Sequence, residues 1–205
     1  EEINNIVNLF ALQILEDFTN IKKFKITNIV PSYNKILIRF NPINNKKYKL
    51  YEYLNSINFS QKKSNNNSIV EIPICYDDIY SLDLLEISKK INFSKDAIIH
   101  EHLNTLFHVY MIGFLPGLPF MGKIKKLNNI PRKLSPRKLI HKGSVGIVNG
   151  MCVIYPQNSP GGWNIIGRTP LDIFSTRLKN PLKITPGNKV KFKKINKIEY
   201  KNYEK

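Results

Sequence analysis

SVGIVNGMCVIYPQNSPGGWNII, residues 144–166, carries three short β-rich runs, 144–148, 152–155 and 163–166, set between Gly and Pro clusters. Branched Val and Ile suit a pleated surface, while Gly and Pro punctuate it. Two further runs, 106–112 upstream and 190–195 downstream, follow the same pattern. Short strands at this spacing predict a small β-barrel or sandwich for the second half of the chain.

The first half reads differently. Ile3, Val7, Phe10 and Ile14 recur at spacings of four, three and four, which predicts a helix over 3–18 with one apolar stripe. Runs 24–30 and 35–40 flank Pro31, Ser32, Tyr33 and Asn34, the residues of a turn, and predict a hairpin. A second helix is expected over 47–57, with Leu50, Leu54 and Ile57 on one face, then a polar loop, 61–68, and a strand, 68–74. Helix, two strands, helix and strand make an α+β sandwich that lacks only a first strand. From 81 to about 104 the pattern is helical again, with Ser94 placed to cap and Asp96 in the first turn, and this stretch is read as a bridge between halves. The expected domains are therefore 1–90 and 91–205. The Asn-rich and Lys-rich segments 43–49 and 61–67 are compositional loops.

At 205 residues and 42% hydrophobic content, the chain can build a packed core, which excludes disorder for most of it. No apolar run approaches the roughly 20 residues that cross a bilayer, and Glu1 and Glu2 are not the basic start of a signal peptide, so a soluble, cytoplasmic protein is expected. The chain starts without Met in what already reads as helix, so an N-terminal element is expected to precede it. Cys75 and Cys152 have no CxxC or His-spaced partner and are read as buried or idle thiols.

The formal charge of +17 raises nucleic acid as a partner. Lys, Asn and Ile together supply 82 residues, and AT-rich codons favour all three, so much of the basicity reflects composition. Residues 1–100 hold 13 basic and 11 acidic side chains, net +2, and residues 101–205 hold 19 and 4, net +15. The second half thus suits an anionic ligand or an acidic partner, or is a solvated lysine surface. No aromatic-interleaved basic stripe accompanies the charge, so nucleic-acid binding is expected to be unspecific and abolished by moderate salt.

Several segments have the chemistry of a site. Gly113-Phe114-Leu115-Pro116-Gly117-Leu118-Pro119-Phe120-Met121-Gly122 gives a stiff, irregular backbone whose N-H groups can approach a ligand, with Phe114 and Phe120 as a flat wall. Taken alone, it is better read as a connecting loop with Phe plugging the core. Arg is only 5 of the 32 basic residues, yet Arg132 and Arg137 in PRKLSPR and Arg168 in IGRTP all sit in Pro/Gly-framed segments. Such Arg offers a planar fork for carboxylate or phosphate, or ties loops to carbonyl oxygens. Gly161-Gly162 before Trp163, the only Trp, leaves two amides unshielded, which suits an oxyanion or a sharp turn. Neither a Walker loop nor a GxGxxG fingerprint is present. The His100-Glu101-His102 run is no metal site on a helix, because residues two apart face different directions. No Ser lies in a nucleophile elbow, and no Cys lies near a His in sequence, so covalent catalysis has no positive support. His102 is left as an acid/base or ligand-orienting group.

Taken in order, His102, Phe107-His108-Val109 leading into GFLPGLPFMG, PRKLSPR, KGSVGI, YPQNSPGGW and IIGRTPLDIF closely resemble the B-subunit family of 5-oxoprolinase. That family also includes a sporulation-kinase inhibitor and the matching part of urea amidolyase. The match is densest from His102 to Phe174, reaching back through Ile72 to Tyr76 and Asp83-Leu84 and forward to Pro186-Gly187. Leu118, Phe120, Phe107 and Asn188 depart from its usual residues, and two phenol hydroxyls are lost.

The resemblance implies a ferredoxin-like N-terminal domain, its first strand missing, followed by a cyclophilin-like β-barrel. It further implies one component of a hetero-complex, working with the C-type component and a separate A-type component to open 5-oxoproline to glutamate, using ATP with Mg. Phosphorylating the carbonyl oxygen of a poorly electrophilic lactam turns it into a leaving group, with cationic donors stabilising the transferred charge. On this reading His102, Arg132, Arg137 and Arg168 are the catalytic candidates. Phe114, Pro116, Gly117, Phe120, Ser144, Pro160, Gly161, Gly162, Trp163 and Thr169 are the substrate- or nucleotide-binding candidates, and no protein metal site is expected. The alternative that the resemblance carries is a regulator that binds a sensor histidine kinase and blocks its autophosphorylation. Prolyl isomerisation is suggested by the barrel type alone, which is fold analogy and no site.

Overall fold

The structure is a computed structural model that describes residues 5–20, 26–41, 47–57 and 69–203. The chain divides into two compact units, Glu1–Asn67 and Ser68–Lys205. In the first, helix α1 (Asn5–Asn20) is followed by strands β1 (Ile26–Ser32) and β2 (Lys35–Phe40) and helix α2 (Lys47–Ser56). β1 and β2 form an antiparallel hairpin, turned at Tyr33, whose φ of 52° reverses the chain. The core of this unit is Ile14, Phe18 and Leu50, against which Phe10, Ile29, Ile36, Ile38 and Tyr53 pack. Val7, placed on the apolar stripe by spacing, is exposed, because Ala11 and Phe18 complete the buried face instead. Ile3, Phe24 and the polar loop 61–68 lie outside the described residues.

The second unit starts earlier than the sequence suggests. Strand β3 (Ile69–Cys75) runs parallel to β11 (Lys189–Ile195), from Ile69 opposite Lys189 to Cys75 opposite Ile195. It therefore belongs to the barrel and not to the N-terminal sandwich, and the boundary falls at 67/68 rather than at 90/91. The unit continues through helices α3 (Leu84–Ile91) and α4 (Lys95–Asn104) and strands β4 (Phe107–Ile112), β5 (Pro119–Gly122), β6 (Arg137–Ile140), β7 (Ser144–Val148), β8 (Met151–Ile154), β9 (Ser159–Gly161) and β10 (Asn164–Arg168), and after β11 comes helix α5 (Lys197–Asn202). Seven strands close a barrel in the order β10-β3-β11-β4-β5-β8-β7, while β6 and β9 pair separately. The architecture is the α+β type with a barrel that the sequence predicts.

The stretch expected to bridge two halves is instead two helices of the barrel unit. Asn92 breaks them with a left-handed φ of 52°, and the Ser94 side chain accepts from the Ala97 amide at 3.1 Å to start α4. Leu84, Ile87, Ile98 and Ile99 join Ile72, Val109, Met121, Val145, Ile147, Cys152, Ile154, Ile166 and Phe192 in one core. β7 and β8 are buried along their whole length and join through Asn149 and Gly150, both at positive φ, as a tight hairpin needs. Their burial on both faces explains why they read as continuous apolar runs rather than as alternation.

Candidate functional site

Three of the motif segments converge on one patch of the barrel unit. Phe120 on β5 meets Trp163 edge to face, with ring centroids 5.8 Å apart. The Arg132 guanidinium stands 5.6 Å from the centroid of the same Trp163 ring. Trp163 is positioned from below: Gly146 on β7 leaves room for its Cβ, and Tyr155 hydrogen-bonds to its backbone. Burial pushes the Tyr155 phenol up to about 12, so it stays a neutral strut. Gly161 packs against the Tyr155 hydroxyl, where any Cβ would collide, and lies in β9 opposite Arg137. The Gly162 carbonyl accepts from the Lys133 amide at 2.9 Å, tying the PGGW turn to PRKLSPR. An indole with a guanidinium on its face and a phenyl ring at its edge suits a flat or cyclic anion.

The other expected residues are not brought to this patch. Arg137 is not the open anion fork expected of it: its two terminal nitrogens donate to the Asp83 carboxylate at 2.8 and 2.6 Å. Asp83 is fully buried; Lys133 donates to it at 2.9 Å, as does the Ile165 amide at 2.7 Å. Burial raises this carboxyl, but Arg137, the Ile165 amide and Lys133 outweigh it and hold it below the ordinary carboxylate value. Asp83→Asn is expected to lower stability by about 2 kcal/mol, because the Ile165 bond survives while the three charge-assisted bonds from Arg137 and Lys133 weaken. Arg137 and Lys133 keep 27% and 18% of their side-chain surface in water, which limits the loss. Chemical denaturation checks it, and an unchanged midpoint would show that Asp83 is not a lock.

Arg168 lies at the far end of β10 from Trp163. Its guanidinium covers the Tyr80 ring at 5.2 Å, and its buried Nε has no hydrogen-bond partner among the described residues. Tyr80 in turn stacks on Tyr200 of α5 at 4.4 Å, so Arg168 braces the seam between β10 and α5. His102 is corrected from a proton-transfer group to a core residue. It is fully buried, its Nδ1 lies 2.7 Å from the Tyr76 hydroxyl and its Nε2 3.5 Å from the Cys152 sulfur. Burial lowers its pKa to about 3, so the ring is neutral in the folded chain. Ser144 and Thr169 are buried beside the Gly143 turn, where the Thr169 amide donates to the Gly143 carbonyl. Gly117, at φ 81°, packs on Phe174, while Phe114 at φ 68° is 70% exposed and Pro116 and Pro160 are exposed. Both cysteines are free and buried.

Lys133, Asp83 and Tyr155 are the residues that sequence reasoning does not place in the site. Tyr155 in YPQNSPGGW and Lys133 in PRKLSPR stand inside the motifs themselves, which is the available signal. Among the described residues no three His, Cys, Asp or Glu side chains gather as a metal site, and no helix is long and apolar enough to cross a membrane.

Fold and patch define a class: a closed seven-stranded barrel with an aromatic and cationic face on its wall. The family model for the carboxyltransferase domain, subdomains C and D, matches residues 1–184. A Bacillus subtilis protein, named as the B-subunit of 5-oxoprolinase, is 42% identical over 139 residues, covering 68% of this chain and 58% of its own length. Its namesake in Haemophilus influenzae is 30% identical over 183 residues, covering 89% and 83%. The solved structure of a protein called TTHA0988 superposes with a TM-score of 0.84 at 28% identity, over 95% of this chain and 38% of that one. The chain belongs to the carboxyltransferase-domain family and, within it, to the group of 5-oxoprolinase B-subunits. It spans little more than half the length of the B. subtilis relative.

Proposed function

We propose that this chain is the B-subunit of an ATP-dependent 5-oxoprolinase, acting in the cytoplasm with a C-type and an A-type partner protein to open 5-oxoproline to glutamate. The relatives' names support it, and the observation that carries it is the convergence of Phe120, Arg132 and Trp163 on one face. Arg132 is exposed and pairs with no carboxylate among the described residues, so it fits a phosphate or the substrate carboxylate. Trp163 and Phe120 shield that charge from water on one side and offer a flat surface to the five-membered ring. When bound, ATP supplies the phosphoryl group that makes the lactam oxygen a leaving group. Mg would enter with the nucleotide, since the patch has no carboxylate cluster among the described residues.

The patch offers an anion fork and a wall but neither nucleophile nor phosphate cradle, so it is half of a site. A stable complex with a C-type partner protein is therefore expected. Size-exclusion chromatography of the co-expressed pair tests it: co-elution at micromolar concentration supports the reading, and separate peaks defeat it. Separate peaks together with tight binding to a sensor histidine kinase would establish the regulator reading.

A further inference from the structure

We infer that the groove between α3 and the 130–135 segment is a second binding site, for a small organic carboxylate with an apolar body. A cavity of about 280 Å³ lies there, floored by Ile87, Ile91 and Ile130 and rimmed by Lys90, Arg132 and Ser135. That volume is roughly twice that of a cavity holding one benzene, and close to the lower bound of small-molecule sites. It fits a ring or a branched chain with a short acidic arm.

The charge at the rim selects an anion. Glu86 also borders the groove, but it bonds to Lys133 at 2.8 Å, and Lys133 and Arg137 together neutralise Glu86 and Asp83. Two cations remain, Lys90 and Arg132, and neither has a carboxylate partner among the described residues. The Asn164 amide is committed to the Pro131 and Ile147 carbonyls, at 2.9 and 3.2 Å, so it fixes the rim in place. An ion pair at such a rim is partly screened, and the apolar floor supplies the rest of the affinity. Arg132 is shared with the patch around Trp163, and what sets the groove apart from that patch is Lys90 and the isoleucine floor.

Isotope-labelled protein titrated with 3-phenylpropionate and with 3-phenylpropanol, followed by NMR, tests the assignment on the chain as it stands. The carboxylate should move the amide resonances of Ile87, Ile91 and Ser135 and bind about fivefold more tightly than the alcohol. Lys90→Glu, at an exposed position, should abolish that preference, and Ser135→Trp should block both ligands by filling the rim. Equal affinity for acid and alcohol, or shifts elsewhere on the barrel, would each overturn the assignment. None of these outcomes depends on whether the chain joins a lactam-opening complex.

Discussion

Arg132→Ala, reconstituted with its partner proteins, is expected to lose about two orders of magnitude in ATP-dependent 5-oxoproline turnover with an unchanged melting temperature. A positioned charge on a transferring group is worth roughly 3 kcal/mol, which is about that factor in rate. Arg132 is exposed and its guanidinium rests on the Trp163 ring with no carboxylate partner among the described residues, so its removal leaves no buried group there unsatisfied. Arg132→Lys should recover little, because an ammonium keeps the charge without the fork. Arg168→Lys should behave in the opposite way. It removes a planar group stacked on Tyr80, which lowers stability by about 1 kcal/mol and leaves the activity of the folded complex intact. If the Arg168 variant loses turnover at normal stability while the Arg132 variant keeps it, the two roles are exchanged and the patch around Trp163 is not the reacting face.

Acidification from pH 7.5 to 4.5 is expected to remove about 5 kcal/mol of folding stability, most of what a domain of this kind has to lose. His102 is held near 3 by burial, and His108 near 4 by burial and then by the Lys189 amine beside it. Both rings are neutral in the folded chain and take up a proton on unfolding. Above about 6.5 neither state is protonated and the contribution vanishes; below it the unfolded state gains about 1.4 kcal/mol per proton and pH unit until the folded values are reached. Asp83, held below its ordinary value, adds a further loss only once the pH falls through the usual carboxylate range. Urea midpoints measured across this range give the slope, which should approach two protons. His102→Gln should reduce it to one even if the variant is weaker throughout, and a slope unmoved by the substitution would mean that His102 protonates while folded.

How far the sequence announces these features depends on the distance over which each is determined. Strands such as Ser144–Val148 and Met151–Ile154 are legible because Val and Ile runs between Gly turns need no distant information. β3 is visible as a strand, but its unit is not, since its parallel partner begins at Lys189, some 120 residues beyond Ile69. Pro119–Gly122 and Ser159–Gly161 are strands written in loop residues, held by pairing with their neighbours rather than by propensity. Arg usage draws attention to Arg132, Arg137 and Arg168, but their separate fates rest on what stands across from each. Asp83 lies 54 residues before Arg137, and Tyr80 precedes Arg168 by a still longer stretch of chain. Spacing shows that His100 and His102 diverge; it does not show that one faces solvent and bonds Asn104 while the other is sealed against Tyr76.

The parallel pairing of Ile69–Cys75 with Lys189–Ile195 also dictates when the barrel unit can fold during synthesis. Without β11, both β3 and β4 present open edges, and the barrel has no way to close. Until residues 189–195 have left the ribosome, the nascent chain carries two strands with one open edge each, and each edge is a template for association with another chain. The hairpin of the N-terminal unit has no such dependence, because it is joined through Tyr33 and Asn34 alone. In a cell the two units would therefore mature at different moments, the first early and on local contacts, the second only once β11 has emerged. A truncation just before Lys189 would thus yield an aggregating species with a folded head, rather than a smaller barrel.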